Sequence, residues 1–226
     1  MSLERARRKV VSVFAQRCVY LFAALLVLLV TVPFLEDSER GLIALNAINI
    51  IILFAAAVAV SDSRVCFAFA VVLGGSAIAC QAIGFALNEP DLRALGLGFG
   101  AAFYFMTLSY LLAYVLRRDV LTVDKLYGAA AAYLMIGILW VYFYTILLRF
   151  HPGALAAGGA PVTEPLLSEI VYFSFTALTS TGFGDITPVH AVARMLCVLE
   201  QVSGVLFIAI LIARLAGSYT PADRHK

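Results

Sequence analysis

Charged residues are scarce in this sequence of 226 residues. Asp, Glu, Lys and Arg together make up 13% of it, whereas hydrophobic residues make up 63%. A soluble domain usually has a charged fraction of about a quarter. The mean hydropathy of +0.98 agrees with this contrast. The composition therefore excludes an ordinary soluble protein and predicts a chain that lies in lipid.

Histidine and cysteine are also few, with three and four residues. The histidines are isolated at the flanks of apolar runs, and no nucleophile has a base at a suitable spacing, so nothing predicts an enzyme. Cys18, Cys66, Cys80 and Cys197 are dispersed without a close pair. We interpret them as small apolar residues rather than as a disulfide or metal framework. No cofactor, nucleic acid or soluble partner is predicted.

Long apolar runs make up most of the chain. An α-helix needs about 20 residues to cross a hydrocarbon core of roughly 30 Å. Five runs are long enough, and a sixth, the first in the chain, is shorter but carries only apolar and small polar side chains. The six predicted spans are 18–35, 42–60, 65–87, 94–116, 126–148 and 191–215. We therefore expect an all-α membrane protein with six transmembrane helices.

The few charges are distributed unevenly between the two ends of these runs. Cytoplasmic flanks are enriched in Lys and Arg, and basic residues lie before the first run, after the second and fourth, and in the tail. Acidic residues lie in the alternate connections, beginning with Glu36, Asp37 and Glu39. Both termini are therefore expected in the cytoplasm. The acidic residues after the first run, without a small-residue cleavage site, also argue against a cleaved signal peptide.

The charged linker at 117–125 divides the chain into two membrane parts. The predicted units are a flank at 1–17, a four-span domain at 18–116, the linker, a second membrane domain at 126–215 and a tail at 216–226. Trp140, Tyr142 and Tyr144 in the fifth span are interpreted as an interfacial aromatic belt. Asn46 and Asn49 lie on one face of the second span and are expected to form interhelical hydrogen bonds.

The connection between the last two spans has an unusual composition. It begins with Gly- and Ala-rich residues at 151–161, which predict an exposed loop. The next run, 166–178, is apolar and aromatic but too short to span. Such a re-entrant helix is tolerated only where protein or a water-filled cavity surrounds it. We therefore expect several chains to assemble around this segment.

The residues after the short helix have the pattern that a stack of backbone carbonyls requires. A dehydrated monovalent cation needs several oxygen ligands, and successive C=O groups can point at one axis if the sign of φ alternates. Such a conformation favours glycine at alternate positions, and Thr181, Gly182, Phe183 and Gly184 follow that alternation. The stack has polar residues at both ends, because Thr179 and Ser180 precede it and Asp185 follows it. A hydroxyl could add a ligand at the inner mouth, and a carboxylate could attract cations at the outer mouth.

These residues resemble a known family. The run at 172–188, YFSFTALTSTGFGDITP, looks like the pore helix and selectivity filter of potassium channels. The last span, with LEQVSGVL at 199–206 and LIARL at 211–215, is similar to the inner helix of bacterial two-transmembrane-pore ion channels. In that family, rings of backbone carbonyls replace the hydration shell of the ion. The resemblance covers about 126–215 and implies a homotetramer in a membrane that we expect to be the bacterial inner membrane.

The resemblance also assigns roles to individual residues. Potassium ions would be the permeant ligand, and Gly204 would be the gating hinge. Thr179 and Asp185 would support the two mouths. The oxygens that coordinate potassium would come from Ser180, Thr181, Gly182, Phe183 and Gly184. We refer to residues 179–185 as the filter segment.

Three residues depart from the family pattern. Ser180 stands in place of threonine, Thr181 in place of valine or isoleucine, and Phe183 in place of tyrosine. Ser180 loses a packing methyl, Thr181 adds a hydroxyl that needs a partner, and Phe183 cannot donate a hydrogen bond to the pore helix. Strict selectivity for potassium is therefore a separate question from conduction. A weakly selective cation channel is the alternative.

Glu200 lies inside the last predicted span. Intramembrane carboxylates usually face a cavity or a partner and carry function. One interpretation is a hydrogen bond or ion pair behind the filter, with a neighbouring subunit as a candidate partner. The other is a role in gating. The sequence does not separate the two.

The fourth predicted span lacks the charges of a voltage sensor. A sensor needs several arginines at every third position, because one charge moved through the membrane contributes about 2.3 kcal/mol per 100 mV. The run 94–116 contains no Arg or Lys. We therefore expect no steep voltage gating, and nothing in the sequence indicates what the first four spans do. Two other classes remain, a Trk/Ktr-type transporter, which would need four pore loops in one chain, and a non-conducting scaffold or sensor.

Overall fold

The computed structural model describes residues 17–36, 38–59, 64–117, 122–163 and 166–217. The helices within these ranges are α1 Arg17–Leu35, α2 Glu39–Ala59, α3 Arg64–Ala86, α4 Pro90–Val115, α5 Val123–Phe150, α6 Leu167–Leu178 and α7 Ala191–Gly217. The predicted helical class is therefore confirmed. Nearly all of the predicted N-terminal flank, much of the linker and most of the tail lie outside the described residues.

Five of these helices are long and apolar enough to cross a membrane, namely α1, α3, α4, α5 and α7. Each coincides with a predicted span to within a few residues. In α2 the strongly apolar part is shorter and runs over Ala44–Val58. The helix itself extends over Glu39–Ala59.

The outer segment between α5 and α6 differs from the predicted loop. Three short strands, β1 Leu155–Ala157, β2 Ala160–Val162 and β3 Ile186–Pro188, form a sheet in the order β2-β1-β3. Both pairings are antiparallel, and Ala156 lies opposite Pro161 on one side and Thr187 on the other. The composition predicted only a loop, because strands of three residues are too short to produce a periodic pattern.

The core is centred on α5. In its most apolar stretch 61% of the residues are buried, against 17% in α3 and in α7. Small residues on α5 allow close approach, since Ala131 and Ala132 are fully buried and a side chain at Gly137 would meet the Phe175 ring of α6. Helix α5 therefore holds the four-span domain on one side and the segment from α6 to α7 on the other.

Polar side chains tie the four-span domain together. The Tyr104 hydroxyl on α4 donates to the Asn49 side-chain oxygen on α2 at 3.3 Å, which confirms the predicted interhelical role of Asn49. Near the linker, the Tyr114 hydroxyl donates to Asp124 at 3.0 Å and the Cys18 amide donates to the same carboxylate at 3.1 Å. Asp124 therefore joins α1, α4 and α5 at one end of the bundle.

Candidate functional site

The filter segment has the backbone alternation that its glycines predict. Gly182 and Gly184 have φ of +52° and +80°, and Ser180 has φ of +57°. Thr179 has φ of −81°, and neither Thr181 nor Phe183 has a positive φ. Every second residue from Ser180 to Gly184 therefore has a left-handed backbone conformation, and the first of them is a serine.

The start of the filter segment is hydrogen-bonded to the last turn of α6. The Ser180 amide donates to the Ala177 carbonyl at 2.8 Å. The amides of Thr181 and Gly182 both donate to the carbonyl of Thr176, at 2.9 and 3.2 Å. These bonds satisfy carbonyl groups that a helix end otherwise leaves without a partner. The position of the segment therefore follows the position of α6.

The hydroxyl of Thr181 finds the partner that burial behind a filter would require. Its oxygen lies 2.9 Å from the Thr179 hydroxyl oxygen, and the Thr179 hydroxyl donates to the Phe175 carbonyl at 2.8 Å. When the Thr179 proton points to the Phe175 carbonyl, Thr181 is the donor in the pair. The two threonines form a short chain of hydrogen bonds that ends on the backbone of α6.

The outer half of the segment is held by Tyr172 of α6. The Phe183 ring is stacked on the Tyr172 ring, with centroids 6.2 Å apart and planes 8° from parallel. The Tyr172 hydroxyl is hydrogen-bonded to the Asp185 carboxylate, which is the main reason that the pKa of Asp185 lies below its ordinary value. A hydroxyl on the helix thus contacts the segment even though Phe183 has none to offer.

The exit from the segment is fixed to the small sheet. The Gly158 amide, in the turn between β1 and β2, donates to the Asp185 carbonyl at 3.1 Å. The amides of Val189 and His190 donate to the Ala154 carbonyl at 3.0 and 3.2 Å. The outer segment that the composition suggested was a loop therefore acts as a support for the end of the filter segment.

Glu200 is buried behind the filter segment, between α5, α6 and α7. Its side chain is fully inaccessible to solvent. One carboxylate oxygen accepts from the Tyr144 hydroxyl at 2.7 Å and the other from the Ser174 hydroxyl at 2.6 Å. The partners belong to the same chain, so the predicted hydrogen bond behind the filter is present without a neighbouring subunit. A gating role for this carboxylate stays a prediction.

Gly204 lies where α7 crosses the end of α6. A methyl group there would overlap the carbonyl oxygen of Leu178, which is backbone and cannot rotate away. Close approach is therefore one reason for a glycine at this position. The role as a hinge that the resemblance assigns to Gly204 stays a prediction.

The filter segment lies open on the surface of the single chain. All of its residues are exposed, and Phe183 is 70% accessible. Much of α7 is also exposed to solvent in the single chain, including Val198, Leu199 and Val202. Among the described residues, no group of three or more His, Cys, Asp or Glu side chains could hold a metal ion.

The comparison with protein families selects the same part of the chain. Residues 134–220 match the family model described as "Ion channel". The matched range includes most of α5, all of α6, the filter segment and α7, and it covers less than half of the chain. It supports an ion channel of the kind with two membrane-spanning helices around the pore, and passive ion conduction as its activity. No curated protein and no solved structure matches the chain.

Three supporting residues were missed by the sequence reasoning. Tyr144 was interpreted as part of an interfacial belt, but it is fully buried and bonded to Glu200. Ser174 and Tyr172 lie within the run that resembles a pore helix, and the resemblance assigns neither of them a role. The available signal was the helical spacing of Tyr172, Phe175 and Thr176, which places one face of α6 toward the filter segment.

Proposed function

We propose that the protein is one subunit of a tetrameric potassium channel that conducts passively through four filter segments. The observation that carries the proposal is the alternation of φ sign over residues 180–184 in a segment exposed along its whole length. One such segment cannot encircle an ion, whereas four around an axis can. Closed cyclic symmetry is the usual way in which identical chains assemble.

Backbone carbonyls from Ser180 to Gly184 would replace the water that potassium loses on entry. The carboxyl-terminal end of α6 lies next to them at Leu178. That end of a helix carries a partial negative charge of about half an elementary charge, which favours a cation nearby. At the outer mouth Asp185, ionised at neutral pH, would concentrate cations.

The proposal includes six membrane crossings, counting α2, with both termini in the cytoplasm and α6 as a re-entrant helix. The short apolar part of α2 supports a crossing only if the adjoining turns, with Glu39 and Arg40, lie at the membrane surface. The distribution of Lys and Arg supports the orientation. The bacterial inner membrane is the proposed location.

Steep voltage gating is not part of the proposed function. Helix α4 contains Arg93 in its first turn and no further basic residue. The Arg93 guanidinium donates to Asn88 at 3.3 Å and lies over the Phe85 ring, 5.6 Å from its centroid. A charge held at one end of a helix does not provide the several translocated charges that a sensor needs.

Weak selectivity among cations is the second candidate, because three filter positions depart from the family pattern. Two contacts favour potassium selectivity instead. The Thr179–Thr181 pair satisfies the extra hydroxyl, and the stack of Phe183 on Tyr172 replaces a bond that tyrosine would make. Both contacts stiffen the surroundings of the carbonyls, which a selective filter requires.

Ion flux from liposomes that contain the purified protein tests the proposal. We expect potassium flux that barium blocks, a reversal potential that follows the potassium gradient, and loss of flux in Gly182→Ala. A side chain at Gly182 meets nothing within 4 Å in the chain, so the loss would come from the left-handed backbone, which costs an L-residue about 1–2 kcal/mol.

Three results would separate the alternatives. Equal permeability to sodium and potassium would identify the weakly selective channel. The absence of any flux from correctly assembled protein would identify the scaffold or sensor. Flux that persists unchanged in Gly182→Ala would exclude a pathway through the filter segment.

A further inference from the structure

The Glu36 side chain joins the four-span domain to the helix that carries the filter segment. Glu36 directly follows α1, and one of its carboxylate oxygens accepts the Ser168 amide at 2.9 Å. The other carboxylate oxygen accepts the Ser168 hydroxyl. Ser168 is the second residue of α6. The two residues are 132 positions apart in the sequence, so the contact is tertiary.

The contact supplies something that α6 does not supply for itself. The first amides of a helix have no intrahelical acceptor, and Ser, Thr, Asp or Asn usually provides one at the residue before the helix. Here that residue is Leu166, whose side chain has no acceptor. Glu169 turns back to accept the Leu166 amide at 3.1 Å, and the Ser168 amide is left to Glu36.

Apolar side chains of α1 and α6 lie near the same contact. Val32, one turn before Glu36, is buried. Leu28 and Val32 of α1, together with Leu167 and Val171 of α6, line a cavity of about 220 Å³. The end of α1 therefore lies along the start of α6, and Glu36 is not an isolated surface pair.

Helix α6 packs on α5, where its Phe173 ring contacts the Tyr144 ring and its Phe175 ring lies against Gly137, and it is held at three further points. Leu178 at its end lies against Gly204, and Ser174 in its middle is bonded to Glu200. Both of these contacts come from α7. The start of α6 is bonded to Glu36, which comes from the four-span domain. A helix of 12 residues is about 18 Å long, so a small movement at Ser168 changes the tilt of α6 against α5 and α7.

We propose that Glu36 is a positioning residue for the filter segment, through which the four-span domain sets the orientation of α6. The amides of Ser180, Thr181 and Gly182 are bonded to the last turn of α6, so a tilt of α6 displaces the carbonyls that would coordinate the ion. This inference rests on the proposed function. It assigns to α1 a role that the sequence left open.

The test uses the full chain with Glu36→Ala, which removes the acceptor, and Glu36→Gln, which keeps the shape and one acceptor. Matched controls are Glu89→Ala and Glu89→Gln, because Glu89 is an exposed carboxylate next to α4 whose side chain makes no capping bond. Two quantities are measured in each variant, the potassium-to-sodium permeability ratio in bilayers and amide hydrogen exchange over residues 166–185.

We expect Glu36→Ala to lower the permeability ratio at least threefold and to increase amide exchange in α6 and the filter segment severalfold. Glu36→Gln should give smaller changes in the same direction, and the Glu89 variants should give none. Ser168→Ala, which keeps the amide, should lower the ratio in the native background and have no further effect when combined with Glu36→Ala.

The two measurements separate the possible failures. Unchanged exchange in Glu36→Ala would overturn the link between α1 and α6. Faster exchange with an unchanged permeability ratio would reduce Glu36 to a helix cap and overturn its positioning role. If the native protein does not conduct, the proposed function fails and the positioning role fails with it, while the exchange data still report whether the contact orders α6.

Discussion

Ser180 is the filter residue whose conformation is least expected for its type. Its φ of +57° lies in the left-handed region, which costs an L-residue about 1–2 kcal/mol and is most crowded for side chains branched at Cβ. Serine is not branched at Cβ, and the hydrogen bond from its amide to the Ala177 carbonyl holds the turn. The departure from threonine therefore reduces crowding at the position while keeping the hydroxyl.

Asp185 leads to a prediction about acidic solution. Its folded pKa lies below the ordinary value of 3.8, chiefly because Tyr172 donates to it. For a carboxylate with a lowered pKa, the stabilisation is complete above the unfolded pKa and is lost as the pH falls through the folded pKa. Tyr172→Phe removes the main cause of the shift. We therefore expect the variant to lose ion flux at a higher external pH than the native protein.

Liposome flux measured against external pH checks this expectation. Tyr127→Phe is the matched control, because Tyr127 lies near the start of α5 and is distant in the sequence from the filter segment. An identical acid profile for Tyr172→Phe and the native protein would show that the Tyr172–Asp185 bond does not govern the outer mouth.

Glu200 leads to a prediction about stability. In Glu200→Ala the buried Tyr144 hydroxyl loses its acceptor, whereas Ser174 can still donate to the Gly137 carbonyl at 3.0 Å. A buried hydroxyl without a partner costs about 1–3 kcal/mol. We expect a lower melting temperature in detergent, with most of the loss absent when Tyr144→Phe is already present.

Glu200→Gln addresses the second interpretation of this residue. The variant keeps the size and one acceptor oxygen, so it should remain folded. If its conductance, gating and pH response equal those of the native protein, Glu200 has a structural role only. A change in gating at an unchanged melting temperature would favour the functional interpretation.

At the scale of elements, the crossing of α6 and α7 gives a second explanation for Gly204. A hinge glycine and a contact glycine predict different consequences of Gly204→Ala. If Gly204 is a hinge, the substitution makes α7 less flexible, which changes the open times of the channel and leaves its ion selectivity unchanged. A contact glycine forces Leu178 and α7 apart, and overpacking of this kind costs about 1–3 kcal/mol.

We expect Gly204→Ala to lower the melting temperature and the potassium-to-sodium permeability ratio together. Gly98→Ala on α4 is the control, since a side chain there meets nothing within 4 Å and alanine favours the helix by up to about 1 kcal/mol. Altered open times with native stability and selectivity in Gly204→Ala would restore the hinge as the main role.

At the scale of the whole molecule, the filter segment and α7 are both exposed in the single chain. Val198, Leu199 and Val202 are exposed, and a helix that is bare over most of its surface needs either lipid or other chains beside it. The polar backbone of the filter segment cannot face lipid. In the proposed tetramer a ring of chains would cover both features, with the filter segments facing the shared axis.

Mixed assemblies test this arrangement. If four chains share one pore, and one Gly182→Ala subunit blocks it, flux in co-expressed mixtures should fall with the fourth power of the native fraction. A linear fall would indicate that each chain conducts by itself. The mass of the purified complex in detergent, compared with 24.4 kDa for one chain, gives an independent count of subunits.

The sequence predicted most of the fold because its signals are local. Long apolar runs fix the helices, since lipid requires every backbone group to be satisfied within its own segment. Gly182 and Gly184 predicted the left-handed positions for a similarly local reason. Ser180 was not predicted to be left-handed, because nothing in a serine requires it, and the three short strands were too brief to leave a pattern.

By itself, then, the sequence determined that this protein lies in lipid, where its helices fall and which residues alternate in the filter segment. Only the tertiary structure decided what supports that segment. Glu36 and Tyr144 are distant in the chain from their partners, and packing brings them to Ser168 and Glu200. Ser174 and Tyr172 lie on α6, and packing places them against Glu200 and Phe183. A hydrogen bond depends on distance and direction between two atoms, and the order of residues does not contain either quantity for distant positions.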